Sequence, residues 1–244
     1  MRCMERRMSM NKNSIIPLYQ QLADTIKQQI LNGELKENDK LMTEFELSQA
    51  YGVSRITVRK AVELLVEEGY VTKRQGIGTF VAAKKLNRVM NKLASFTEMC
   101  EQDGKIPTTE LVSLEWLNAS VPVSQKLQVT EGDRVLKIVR IRKSDGEPVM
   151  LEESYFRGKY SFLMSENLTG STYEVLRNHN TIPSHAVKTV EICYATKQEA
   201  QALSVKESQA LLLHRDVVMD EAGEPIHYSK LIINPERYTL TILT

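Results

Sequence analysis

The chain has 244 residues, 42% hydrophobic and 26% charged, which suits one large or two ordinary folded domains. Its formal charge of +1 is uninformative, but split after Lys85 the first part carries 14 Lys and Arg against 10 Asp and Glu (+4), and the rest 18 against 21 (−3). No segment reaches the roughly 18 apolar residues of a membrane span, residues 1–10 lack the apolar core of a secretory signal, and Cys3, Cys100 and Cys193 are too scattered for a disulfide framework or a zinc site, so a cytoplasmic protein is expected.

Residues 1–13, with Met1, Met4, Met8 and Met10 all possible starts, read as a disordered tail. Pro17 followed by Leu18, Leu22, Ile26 and Ile30 predicts a helix that stops at Asn32-Gly33. Thr43 with Glu46 three residues on is a capping-box signature, and Leu47, Ala50 and Tyr51 supply an apolar face before Gly52. Ser54 is placed to cap the next helix, whose Val58, Ala61, Val62, Leu65 and Val66 form the expected inward stripe. Arg55, Thr57, Arg59 and Lys60 lie off that stripe, a donor-rich surface suited to phosphates and guanine edges. After Gly69, Tyr70 to Lys73 and Thr79 to Val81 flank a tight turn holding Gly76 and Gly78, which predicts a β-hairpin whose tip can come close to a neighbouring backbone. Each piece alone also fits two packed helices and an ordinary turn. In this order and spacing they predict DNA binding, and the modest basic excess favours two copies acting together.

These residues, 14–82, resemble the winged helix-turn-helix domain of the GntR family of bacterial transcription regulators. The resemblance implies base contacts by Arg55, base or phosphate contacts by Ser54, Thr57 and Arg59, and Gly76 or Gly78 at the minor groove. Thr43, Glu44 and Lys60 complete the expected DNA-binding set. The proline that usually precedes the Ser/Thr in that family is absent, and Phe45 stands where an Arg or Asn is usual.

Residues 83–92 read as a linker, polar and without glycine or proline. Two readings fit it: a segment that orders or extends with domain orientation, or a simple connector. Over 93–244 an internal repeat is visible. Residues 132 to 156 and 209 to 233 share a layout in which Asp145-Gly146-Glu147-Pro148 is matched by Ala222-Gly223-Glu224-Pro225. Each copy is a long hairpin preceded by a short helix, near Val123 to Leu127 and Lys197 to Leu203, and by a strand, Leu111 to Trp116 and Val187 to Tyr194. Two such units can merge into one antiparallel sheet with helices on a face, an α+β domain with a cleft. On the first hairpin Arg140 and Arg142 share a face with Leu136 and Ile138, and Glu152 is expected on the returning strand. An anion site and a cross-strand ion pair on a wet face both fit this pattern.

Residues 93–244, from Leu93-Ala94-Ser95-Phe96-Thr97-Glu98 to Arg237-Tyr238-Thr239, are similar to the effector-binding UTRA domain of the HutC-like branch of the same family, whose fold is related to chorismate lyase. In members that sense phosphorylated amino sugars, the resemblance places the anion on Ser95, Arg140, Arg142, Ser171 and Tyr173, with Glu152 as a ligand-contacting acid. His227 and Ile233 stand where those sensors tend to carry an acid and a tyrosine, which implies a different head group. The four histidines share no metal-ligand spacing, and no phosphate loop, nucleophile elbow or dinucleotide fingerprint occurs; neither a cofactor nor a metal is expected. The chain therefore reads as a dimeric regulator of double-stranded operator DNA rather than an enzyme, a repressor released by a small phosphorylated metabolite such as a sugar phosphate. A non-phosphorylated ligand, or lyase-like activity in the second domain, is the alternative.

Overall fold

The structure is a computed structural model describing residues 10–11, 14–82, 85–89 and 93–242; most of the expected tail, with Cys3, lies outside the described residues. The chain divides into two compact units, residues 1–84 and 85–244.

In the first unit α1 (Leu18–Leu31), α2 (Glu44–Tyr51) and α3 (Arg55–Glu67) bury one small core, with Leu22, Ile26, Leu47, Val58, Ala61 and Leu65 at 2% exposure or less. The caps are local chemistry. The Thr43 hydroxyl accepts from the Glu46 N–H while the Glu46 carboxylate accepts from the Thr43 N–H, and Gly52 closes α2 in the left-handed region at φ 63°. Val66 corrects the expected stripe: it is 37% exposed. At about 100° per residue it falls some 80° from Val58, on the flank of the helix. Strands β1 (Val71–Arg74) and β2 (Gly78–Val81) form the hairpin, and residues 38–41 run beside β2 through Leu41 N–H to Thr79 O (2.9 Å) and Val81 N–H to Asp39 O (2.8 Å).

The second unit opens with β3 (Leu86–Val89), which corrects the linker reading for those residues. They pair in parallel with β10 (Tyr238–Thr241), about 150 positions along the chain. Between them lie α4 (Phe96–Gln102), β4 (Pro107–Asn118), α5 (Val121–Leu127), β5 (Arg134–Ser144), β6 (Glu147–Arg157), a 3-10 segment (Gly158–Ser165), α6 (Thr172–Asn178), β7 (His185–Tyr194), α7 (Lys197–Leu203), β8 (Ala210–Met219) and β9 (Pro225–Ile233). The main sheet is antiparallel, in the order β4-β5-β6-β9-β8-β7. The two repeats are thus joined through their third strands.

Strand alternation then sorts the side chains. On one face Leu211, Leu213 and Ile232 pack with Ala200 and Leu203 of α7, and Val135 packs with Val123 and Leu127 of α5. On the other, Phe96 and Met99 of α4 pack with Met150, Leu231 and Ile233, while Leu136, Ile138 and Phe156 pack with Leu163 and Leu176. Between these last two clusters the register brings polar residues into line. Ile138, Ser154, Ser229, Asp216 and Lys188 face one another across five strands, next to a row of Arg140, Glu152, Leu231 and His214.

Candidate functional site

The capped start of α3 meets the start of α2. Ser54 Oγ accepts from Thr57 N–H at 3.1 Å and shares a 2.9 Å hydrogen bond with Thr57 Oγ1, which fixes the first turn. Both arginines of that turn are held by α2. Arg59 donates to Glu44 through Nε (3.3 Å) and an Nη (3.0 Å), and the same contact holds the Glu44 carboxyl below its ordinary value. The Arg55 guanidinium lies 5.5 Å from the centre of the Phe45 ring. Lys60 and Thr43 are exposed. The donor-rich surface also carries hydrocarbon that the sequence reading did not name: Phe45 is 54% and Ile56 69% exposed. Ile56 sits about 160° from Val58 around the helix, so periodicity alone put it outward. In the hairpin Gly76 (φ 73°) and Gly78 (φ 139°) make the tip, with Arg74 stacked 4.6 Å from the Phe80 ring beside it.

The second unit holds a cavity of about 60 Å³, room for a few water-sized groups. Of the residues named from the sequence, Ser95, Arg140, Arg142, Glu152, Tyr173 and His227 line it. Ser171 stands one residue outside: its Oγ accepts from Glu174 N–H and caps α6, and the wall passes through Thr172 and Tyr173 instead. Ser95 likewise caps α4, in a capping box with Glu98, whose carboxylate is bound at 2.6 Å by Arg177 of α6. One ion pair therefore ties the two capped helices together.

The arginine pair is buried, which removes the wet ion-pair reading: Arg140 is 4% and Arg142 1% exposed. Arg140 donates from one Nη to both oxygens of Glu152 (3.0 and 2.9 Å) and from the other to the carbonyls of Leu168 and Gly170. Arg142 donates to Gly170 O (3.2 Å) and Thr97 Oγ1 (3.3 Å), lies 4.8 Å from the Phe96 ring and comes only within 4.0 Å of Glu152. Two buried guanidiniums share one carboxylate. Burial lowers the Arg142 pKa to about 10, with Arg140 beside it acting the same way. Burial would raise Glu152, but the two arginines overcome it and hold the carboxyl at about 2. Around Glu152 the balance is one positive charge in excess, and the Nε atoms of both arginines have no partner among the described residues.

A relay of hydroxyls leads away from this end. Glu152 is ionised and only accepts, so Ser154 donates to it (3.0 Å); Ser154 has one proton, so Ser229 donates at their 2.8 Å contact. Ser229 has then no proton left for the 2.8 Å contact with His227 Nδ1, and the imidazole must donate there. Burial lowers His227 to about 4, so the ring is neutral and its buried Nε2 is unpartnered among the described residues. Asp216, 4% exposed, takes Lys188 on Oδ2 and leaves Oδ1 bare in the same way. The residues around the cavity carry a cationic pair at one end and, at the other, two buried acceptors without a partner among the described residues. Asp216, Ser229, Thr172 and Arg88 are lining residues that pattern reasoning passed over. Asp216 did carry a signal, an acid two residues from His214 in a His-Arg-Asp interruption of an apolar strand; Arg88 carried none, because its strand is made by a distant partner.

Two family models match the chain: residues 18–81 match "Bacterial regulatory proteins, gntR family" and residues 102–239 match "UTRA domain". The HTH-type transcriptional regulator YurK of Bacillus subtilis is 34% identical over 239 residues, covering 96% of this chain and 98% of YurK. The mannosyl-D-glycerate transport/metabolism system repressor MngR of Escherichia coli is 30% identical and covers 93% and 95%. Among solved structures, PhnF from Mycobacterium smegmatis matches at a TM-score of 0.72 and 25% identity over 91% of this chain and 98% of PhnF. With a helix-turn-helix that presents paired arginines, a second unit enclosing a cationic cavity, and both family models matched in order, the chain belongs to the GntR family of bacterial transcription regulators, in the branch that carries a UTRA domain, and is a regulator rather than an enzyme.

Proposed function

We propose that this protein is a repressor that holds operator DNA as a homodimer, through α3 and the hairpin of each copy, and is released when a small phosphorylated metabolite, most simply a sugar phosphate, enters the cavity of the second unit. The observation that carries the ligand class is the buried Arg140–Arg142 pair with one carboxylate between them. Leaving such a charge uncompensated is costly, and an anion with several acceptor oxygens would supply both the missing negative charge and acceptors for the two unpartnered Nε groups. The bare acceptors Asp216 Oδ1 and His227 Nε2 suit the hydroxyl groups of a sugar. MngR, similar along its length, is named a repressor of a sugar-derivative system.

The test is a thermal-shift panel of sugar phosphates and their unphosphorylated parents. Stabilisation by one or more phosphates, absent with the parents and lost in Arg140→Ala and Arg142→Ala, is the expected result. A shift with unphosphorylated compounds alone would reassign the ligand.

On the DNA side, Arg55→Ala or Arg59→Ala should weaken operator binding at fixed salt by roughly fivefold or more, the loss of about 1–3 kcal/mol typical of one bidentate base contact. Titration of labelled operator by fluorescence anisotropy measures it.

A further inference from the structure

The apolar groups beside Arg55 have no role in the reading above. Phe45 and Ile56 are both large, both more than half exposed, and neither packs in the core of the first unit. The Arg55 guanidinium lies over the Phe45 ring, and the starts of α2 and α3 are clamped together by Glu44 and Arg59. Ile56 follows Arg55 on the exposed side of α3, so hydrocarbon accompanies the arginine on both helices.

Only one base presents hydrocarbon in the major groove: thymine, through its C5 methyl. Neighbouring bases along a strand are about 3.4 Å apart, so an apolar ring 5.5 Å from the guanidinium reaches one or two steps from the base that the arginine reads. We infer that Phe45 and Ile56 are specificity-determining residues that read thymine methyls within two base pairs of a guanine bound by Arg55. The inference rests on the assignment of α3 to the major groove. The contact with the Phe45 ring also restricts Arg55 before DNA arrives, which reduces the side-chain entropy lost on binding.

Selection of binding sites from random-sequence duplex DNA by the full-length protein gives the operator, in which a guanine with thymine one or two steps away is expected. Replacing that thymine by deoxyuridine deletes the methyl and nothing else. Affinity should fall by about fourfold per methyl, the worth of one buried carbon. In Phe45→Ala or Ile56→Ala the thymine and deoxyuridine sites should bind alike, with the guanine still required; both side chains are exposed, so the variants keep the core intact. Equal binding of thymine and deoxyuridine by the natural chain overturns the inference, and that arm needs no variant. A methyl preference that survives in both variants overturns it too. An Arg55→Ala variant that keeps the guanine preference overturns the groove assignment together with it, whereas loss of that preference with a silent deoxyuridine exchange overturns the methyl reading alone.

Discussion

At the scale of single residues, buried charge dominates. Among the described residues Glu152 is the one carboxylate paired with Arg140 and Arg142, so Glu152→Gln should destabilise the second unit by about 3–5 kcal/mol, the usual loss on breaking a buried pair, seen as a lower urea midpoint. The pH dependence follows from the same groups. Glu152 has its folded value near 2, below the unfolded 4.5, so its contribution is complete above about pH 4.5 and fades as pH falls towards 2. His214 and His227 are both lowered to about 4 by burial. The unfolded chain takes up their protons near 6.5 and the folded one does not, so stability is complete above pH 6.5 and declines from there to pH 4. Urea midpoints should therefore drop first between pH 6.5 and 4, well before Glu152 titrates, and His227→Gln should lose part of that slope. The residues themselves were legible as a paired-arginine hairpin with an acid opposite. Their burial was not, because alternation says which side chains share a face but not what covers it.

Helices and strands were more legible, since their signals are local. Thr43, Ser54, Ser95 and Thr196 each precede a helix and each accepts from the backbone three residues on, as hydroxyls at such positions do. The first hairpin is closed by Asp145 (φ 52°) and Gly146 (φ 83°), the two left-handed residues a two-residue turn requires. Nothing lies within 4 Å of a Cβ added at Gly146, so Gly146→Ala should cost about 1 kcal/mol through backbone strain alone. Gly170 is equally open but not left-handed, and Gly170→Ala should be close to neutral although its carbonyl receives both arginines. Thermal midpoints of the two variants give the comparison. Strand β3 was missed for the opposite reason: Leu86–Val89 has no strand-forming neighbour nearby, and its partner β10 lies at the far end of the chain.

For the whole molecule, the repeat explains where the cavity is. Each copy contributes a strand, a helix and a hairpin, and their junction at β6 and β9 puts Arg140, Arg142 and Glu152 from the first copy in one space with Asp216, His227 and Ser229 from the second. A ligand that spans both copies can prefer one arrangement of the chain over another, which is what regulation requires. If it weakens operator binding by some factor, operator must weaken ligand binding by the same factor. Ligand titrations with and without saturating operator should return equal coupling; unequal factors would mean that one of the two measurements reports something other than binding.

The sequence by itself determined most of the elements, the Thr43 and Ser54 caps, the donor-rich start of α3, the repeat and the identity of the arginine pair. Each of these depends on spacings of two to four residues or on turns that only certain residues adopt, and such signals survive without a fold. The tertiary structure decided what those residues do for one another. It buried Arg142, drew Arg88 and Asp216 into the cavity, set the proton direction from His227 through Ser229 and Ser154 to Glu152, and seated Arg55 on Phe45. The physical reason is that the decisive links join positions far apart along the chain, as Ser154 to Ser229 and Arg88 to the cavity do, and only packing brings them within the few ångströms over which hydrogen bonds and buried charges act.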